Sequence, residues 1–207
     1  MPTDLPNVLT LSRIAAIPLL VMLMALRLPG ADFAACCVFA AAGITDYLDG
    51  RLARDWKQTS DFGRMLDPIA DKLLVGATLM MLAGIGRLSF WGLYPAIVIM
   101  LREILVSGLR EYLAGIQVGL PVTRLAKWKT GVQMAALGTL VAGDSSAALL
   151  GISWLPVAHI GEAQLWAAAL LTLLTGWDYL TAGLKHVGGP AATRAGQTVP
   201  RTGARPG

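Results

Sequence analysis

The sequence predicts an all-α integral membrane protein, six transmembrane helices with both termini cytoplasmic. Three observations carry this reading. Of 207 residues, 55% are hydrophobic and 14% charged, well below the charged quarter of an ordinary soluble domain, and the mean hydropathy is +0.60. The apolar residues come in long blocks, and at roughly 20 residues per crossing the chain has room for about six. The lysines and arginines cluster in alternate connections, which sets the orientation.

Residues 1–6 are polar and lack the basic start and cleavage site of a removable signal peptide. The first helix covers about residues 7–27 and opens with N-V-L-T-L-S-R. Asn7 and Thr10 share a face, with Arg13 one further step along. Capping by Asn7 and a polar face turned toward a headgroup site both account for them. The second helix covers about residues 33–54, with Asp32 placed to cap its start. It runs from apolar packing residues into an acidic segment. The only cysteines, Cys36 and Cys37, are adjacent within its apolar run. They have neither metal-ligand spacing nor a disulfide framework and read as small packing residues.

Residues 55–62 form a polar loop, and the third helix extends to about residue 86. Asp67-Pro68 has the form of an N-cap followed by proline at the first helical position. The stripe Gly63, Asp67, Asp71 instead favours a start near Ser60, with Pro68 as a local bend, and this second reading is preferred. The fourth helix, about residues 90–114, carries Arg102, Glu103, Arg110 and Glu111. Such charges are expensive at membrane depth and should face the bundle interior or an aqueous cavity. After a polar-side segment, 115–125, the fifth helix starts at K-W-K-T, residues 127–130, and ends near Gly143. Residues 144–162 are expected as a loop with an apolar stretch lying at the interface. The sixth helix then covers about residues 163–184. The membrane domain spans 1–187. The tail, 188–207, is rich in Gly, Pro, Thr and Arg without periodicity and is expected to be disordered.

Arg51, Arg54, Lys57, Arg64 and Lys72 flank the connection between the second and third helices. Arg124, Lys127 and Lys129 flank that between the fourth and fifth. The opposite connections hold only Arg27 and Arg87. Both termini therefore face the cytoplasm, together with the acidic segment, in a cell inner (plasma) membrane crossed several times. The net charge of +4 singles out no partner, and no nucleic acid is expected.

The acidic segment carries the chemistry. Asp46 and Asp49 are three apart, so they share a helix face, and Gly50, Ala53 and Arg54 continue it. Gly63, Asp67 and Asp71 are spaced by four along the next helix. Packed together, four carboxylates repel and call for a cation. Oxygen ligands without Cys or His select hard ions such as Mg²⁺ or Mn²⁺. Two such ions roughly 3.5–4 Å apart clamp phosphates for in-line displacement. Arg54 adds a fork for a phosphate or nucleotide, Gly50 leaves room for one, and a carboxylate at the edge of the site takes a proton from an attacking hydroxyl. The sum is phosphoryl transfer on a membrane-embedded phosphate ester. His159 falls on the far side and His186 in the tail, so neither is a catalytic candidate.

The form D-x2-D-G-x2-A-R-x8-G-x3-D-x3-D is met here by Asp46, Asp49, Gly50, Ala53, Arg54, Gly63, Asp67 and Asp71 without departure. This resembles the signature of the CDP-alcohol phosphatidyltransferases, and N-V-L-T-L-S-R and the six-span layout agree with that family. The resemblance covers nearly the whole chain except the tail. It implies that Asp46, Asp49, Asp67 and Asp71 hold two divalent cations and that Asp71 is the general base. It implies further that Gly50, Arg54 and Ser60, with Asn7 and Thr10, hold CDP-diacylglycerol by its nucleotide, and that the chain works as a homodimer. R-E-I-L-V-S-G-L-R-E-Y-L-A followed by K-W-K-T is similar to the phosphatidylglycerophosphate synthase branch, whose acceptor is glycerol 3-phosphate. Arg102, Arg110, Lys127 and Lys129 lie on the same side of the membrane and form a basic pocket for the acceptor's phosphate. Against this, Arg102 and Arg110 pair with Glu103, Glu111 or helix-end carbonyls, and the lysines anchor the fifth helix at the interface.

Two rival readings differ in class. A sibling transferase takes serine, inositol phosphate or a second phospholipid as acceptor. A cation channel or transporter places carboxylates near the midplane or in a ring, whereas these sit at one edge beside arginines.

Overall fold

The computed structural model describes residues 5–56, 61–115 and 124–187, and every regular element among them is helical. The helices are α1 (Leu5–Leu26), α2 (Pro29–Trp56), α3 (Asp61–Gly84), α4 (Leu93–Gly115), α5 (Arg124–Leu149) and α6 (Val157–Val187). The expected tail lies outside the described residues. α6 runs to Val187, so His186, expected in the tail, lies on this helix.

Three boundaries differ from the sequence reading. First, α2 begins at Pro29, two residues after Arg27 turns the chain with φ 52°. Proline suits a first helical position because the amide it lacks has no partner there. Asp32 therefore falls within the first turn and does not cap it. Its carboxylate is 2% exposed, pairs with Arg87, and accepts a hydrogen bond from Ser145 Oγ at 2.5 Å.

Second, Gly143 does not end α5. It kinks the helix with φ 60° and ψ 179°, after which the helix resumes to Leu149. Third, α6 starts at Val157, where Asp144 Oδ1 accepts the amide of Ala158 at 3.0 Å. The expected interfacial loop thus shrinks to residues 150–156. The start of α3 at Asp61, with Pro68 inside the helix, agrees with the aspartate stripe.

Around the bundle the helices follow the order α3, α1, α2, α5, α6, α4, with a slight contact closing α4 onto α3. α5 and α6 pack most extensively. Close approach there depends on Gly161, where a Cβ would stand 2.7 Å from Leu140 Cγ. The core joins Leu20 and Met24 of α1, Phe39 of α2, Leu79 and Leu82 of α3, Ile99 of α4, Leu137 of α5 and Leu165 of α6.

The outside is also apolar. Ile97, Leu101 and Ile104 on α4 and Leu170, Leu173 and Trp177 on α6 are all more than half exposed, which water would penalise and lipid would not. Val8–Leu26 and Val157–Thr181 are long and apolar enough to cross a membrane. Only 22% and 33% of their apolar windows are buried within the protein, unlike the core helices of a soluble fold. Phe90, Trp91 and Tyr94 cluster at the start of α4, with the Trp91 and Tyr94 rings stacked 5.8 Å apart. Trp128 stands exposed at the start of α5. Aromatic side chains of this kind favour membrane–water interfaces.

Candidate active site

α1, α2 and α3 bring their polar residues together at one end of the bundle. Thr10 and Arg13 are three apart on α1 and both are about 1% exposed. Thr10 Oγ1 donates to Asp67 Oδ1 at 2.5 Å. One turn along, Arg13 Nη1 lies 2.7 Å from Asp46 Oδ1 on α2 and 2.8 Å from Asp71 Oδ1 on α3. The spacing of four between Asp67 and Asp71 puts both carboxylates on the α3 face that meets α1. Ala70, fully buried, and Leu74 pack α3 into the bundle. The side chains of Asp46 and Asp71 are 44% and 52% exposed, so each is held from within by a buried cation and open to solvent on its other side.

This donor set fits a hard divalent cation. It consists of carboxylate oxygens, and a positive group, the Arg13 guanidinium, already joins two of them. Among the described residues no three Asp, Glu, His or Cys side chains stand close enough to hold a metal ion. Asp49, the fourth expected carboxylate, has its side chain outside the described residues. The side chains of Asn7 and Arg54 and the surroundings of Gly50 are likewise outside them, and Ser60 lies outside them altogether.

The four basic residues expected to bind an acceptor phosphate fall into two pairs. Arg102 and Lys129 are inner residues sharing one carboxylate. Lys129 Nζ is hydrogen-bonded to Glu103 Oε1, and Arg102 Nη1 stands 3.8 Å from the same oxygen. Arg102 Nη2 also donates to Thr175 Oγ1 at 2.9 Å, and its guanidinium lies 5.7 Å over the Tyr179 ring. Arg110 and Lys127 are exposed. The pairing with Glu103 weighed for Arg102 is therefore present, while that residue also reaches across to α6.

The opposite end of the bundle is built differently. There Arg87 pairs with Asp32 and donates from Nη1 to the Val141 carbonyl at 2.5 Å, while Glu162 accepts from the amide and hydroxyl of Ser89. A cavity of about 340 Å³ at that end is lined by Arg87, Gly143 and Asp144. It lies away from the carboxylates of α2 and α3.

A sequence profile of the CDP-alcohol phosphatidyltransferase family matches residues 3–177, which include all five residues of the cluster. The chain belongs to this family. A protein of Rickettsia bellii named CDP-diacylglycerol–glycerol-3-phosphate 3-phosphatidyltransferase is 44% identical over 183 residues, 88% of this chain and 97% of the relative. A Cereibacter sphaeroides protein of the same name is 39% identical over an alignment of 217 positions, covering 90% of this chain and 98% of the relative. In Shigella flexneri a protein of that name is 38% identical, covering 88% and 96%. The family consists of membrane-associated enzymes that generally depend on a divalent cation.

Arg13 stands with Asn7 and Thr10 on the polar face expected of the first helix, but the sequence reading assigned it no place among the site residues. The signal was its spacing from Asn7 and Thr10. What spacing does not supply is the partner: only the packing of α1 between α2 and α3 brings the guanidinium to Asp46 and Asp71.

Proposed function

We propose that the protein transfers the phosphatidyl group of CDP-diacylglycerol to glycerol 3-phosphate, giving phosphatidylglycerol phosphate and CMP. The observation that carries this reading is the convergence of Thr10, Arg13, Asp46, Asp67 and Asp71 from three helices. The names of the relatives supply the two substrates.

In the proposed mechanism Asp46, Asp49, Asp67 and Asp71 hold two divalent cations, Mg²⁺ or Mn²⁺. Bound there, they would supply charge neutralisation for a pyrophosphate and its leaving group. Asn7, Gly50, Arg54 and Ser60 hold the nucleotide. Thr10, assigned to the same group, also holds Asp67 by its hydroxyl. Arg110 and Lys127 meet the acceptor's phosphate first, with Lys129 and Arg102 behind them around Glu103. Asp71 takes the proton of the acceptor's primary hydroxyl. That oxygen forms a bond to the phosphorus bearing diacylglycerol, and the P–O bond to CMP breaks with its electron pair leaving on CMP. Direct displacement needs no covalent enzyme intermediate, and the proton on Asp71 passes to water.

The proposed setting is a plasma membrane crossed six times by residues 1–187, both termini and the carboxylates on the cytoplasmic side and the tail 188–207 apart. Surrounding lipids supply the donor, and the proposed assembly is a homodimer. The distribution of lysine and arginine supports this orientation.

The test is CMP release by the purified protein supplied with CDP-diacylglycerol and Mg²⁺. Release is expected with glycerol 3-phosphate and is expected to stop with EDTA and return with Mg²⁺ or Mn²⁺. Release with serine, inositol phosphate or a phospholipid alone would replace the acceptor. No release with any acceptor would remove the enzymatic reading.

A further inference from the structure

We infer that Arg13 is the resident counter-cation of the carboxylate site. It holds Asp46 and Asp71 across the α2–α3 gap before divalent cations arrive, and it competes with them once they do. The inference rests on the metal-binding reading proposed above.

Three features point to this role. An arginine that is fully buried needs compensating charge, because desolvating a lone guanidinium is prohibitive. Arg13 finds that charge in two carboxylates on two different helices, at 2.7 and 2.8 Å through the same nitrogen, Nη1. Among the described residues no other basic side chain stands against these two carboxylates, and each keeps about half its surface open to solvent. A cation approaching from that open side meets ligands that are already aimed but whose charge is partly spent. Arg13 thus acts on the metals through Asp46 and Asp71. It is a positioning residue that lowers metal affinity while keeping the empty site assembled.

A purely structural arginine would make no such trade, so the test reads affinity and stability together. Mn²⁺ binding to wild type, Arg13→Gln and Arg13→Lys is measured by electron paramagnetic resonance in detergent, without substrate, alongside thermal unfolding with and without Mn²⁺. Arg13→Gln should bind Mn²⁺ at least about tenfold more tightly, since a unit charge touching two ligand oxygens opposes a dication even under strong screening. Without metal it should melt below wild type, and saturating Mn²⁺ should close most of that gap, because the ligand stabilises the state it binds. Arg13→Lys, which keeps the charge, should resemble wild type in affinity.

Equal or weaker Mn²⁺ binding by Arg13→Gln, beside normal binding by wild type, would overturn the counter-cation role and leave the metal reading standing. Wild type binding no Mn²⁺ would remove both. If Arg13→Gln is unfolded without metal, recovery of its fold on adding millimolar Mn²⁺ supports the inference. Failure to recover overturns it, because packing and not charge would then be what Arg13 supplies.

Discussion

Asp71 and Asp67 occupy the same face of α3 one turn apart, yet their surroundings differ. Asp67 takes a hydrogen bond from the buried Thr10 hydroxyl, whereas Asp71 is gripped on one oxygen by Arg13 and open on its other side. An open carboxylate at the rim is the one an incoming hydroxyl can reach. Asp71→Asn keeps the shape and one ligand oxygen but accepts no proton. Turnover should fall about 10³-fold, within the range that a positioned general base supplies, while binding of CDP-diacylglycerol stays largely intact. A variant retaining more than a tenth of wild-type turnover would remove Asp71 as the base. For the acceptor, Arg110→Ala should raise the KM for glycerol 3-phosphate far more than that for CDP-diacylglycerol, and equal effects on both would count against a phosphate role. The shared face of Asp67 and Asp71 was legible in the sequence because a spacing of four translates directly into it. The ligation of Asp46 and Asp71 by Arg13 was not, because residues 13, 46 and 71 meet only through tertiary packing. The sharing of Glu103 by Arg102 and Lys129 was half legible: the pairing was foreseen as an alternative, but its partner on α5 was not.

At the scale of elements, apolar blocks and flanking charges marked all six helices, and the errors fell at glycine and at a buried aspartate. Gly143 reads as a helix end because glycine most often sits just beyond one. Here it supplies a backbone conformation, φ 60° and ψ 179°, that is essentially restricted to glycine. The kink turns α5 so that Ser145 reaches Asp32 and Arg87 reaches the freed carbonyl of Val141. A Cβ on Gly143 would also stand 3.2 Å from Arg87 Nη1. Gly143→Ala should therefore destabilise the protein by about 1–3 kcal/mol, the usual cost of holding a residue in a forbidden backbone region, read as a lower melting temperature in detergent. An unchanged melting temperature would show that α5 accepts a straight path. Arg87→Ala strands the 2%-exposed Asp32 without its cation and should cost roughly 3 kcal/mol, the low end for breaking a buried pair from one side. A loss below about 1 kcal/mol would mean that Ser145 alone satisfies the carboxylate. Asp32 looked like a cap in sequence because capping is local; its actual partners are 55 and 113 residues away.

For the whole molecule, the two ends of the bundle differ in a way that bears on orientation. The end carrying Asp46, Asp71, Arg110 and Lys127 has charged side chains open to solvent. At the other end, Arg87 and Asp32 are tied to one another, and the turn around Trp154 carries no lysine or arginine. The open, basic end is the one the positive-inside rule assigns to the cytoplasm, and the proposed reaction requires the same placement, since its phosphorylated acceptor and CMP are water-soluble. The orientation is testable with single cysteines in a background where Cys36 and Cys37 are alanine. Cys36 packs half-buried against the core and its Sγ lies a long 3.6 Å from the Gly138 carbonyl; alanine keeps most of that small apolar contact, so this background should fold. A cysteine replacing Trp154, which is 78% exposed, should react with a membrane-impermeant maleimide added outside intact cells. A cysteine replacing Lys127 should react only after the membrane is opened. The reverse pattern would invert the topology and put the carboxylates on the wrong side for a cytoplasmic acceptor. Labelling of both positions from outside would contradict a fold in which α5 crosses the membrane between them.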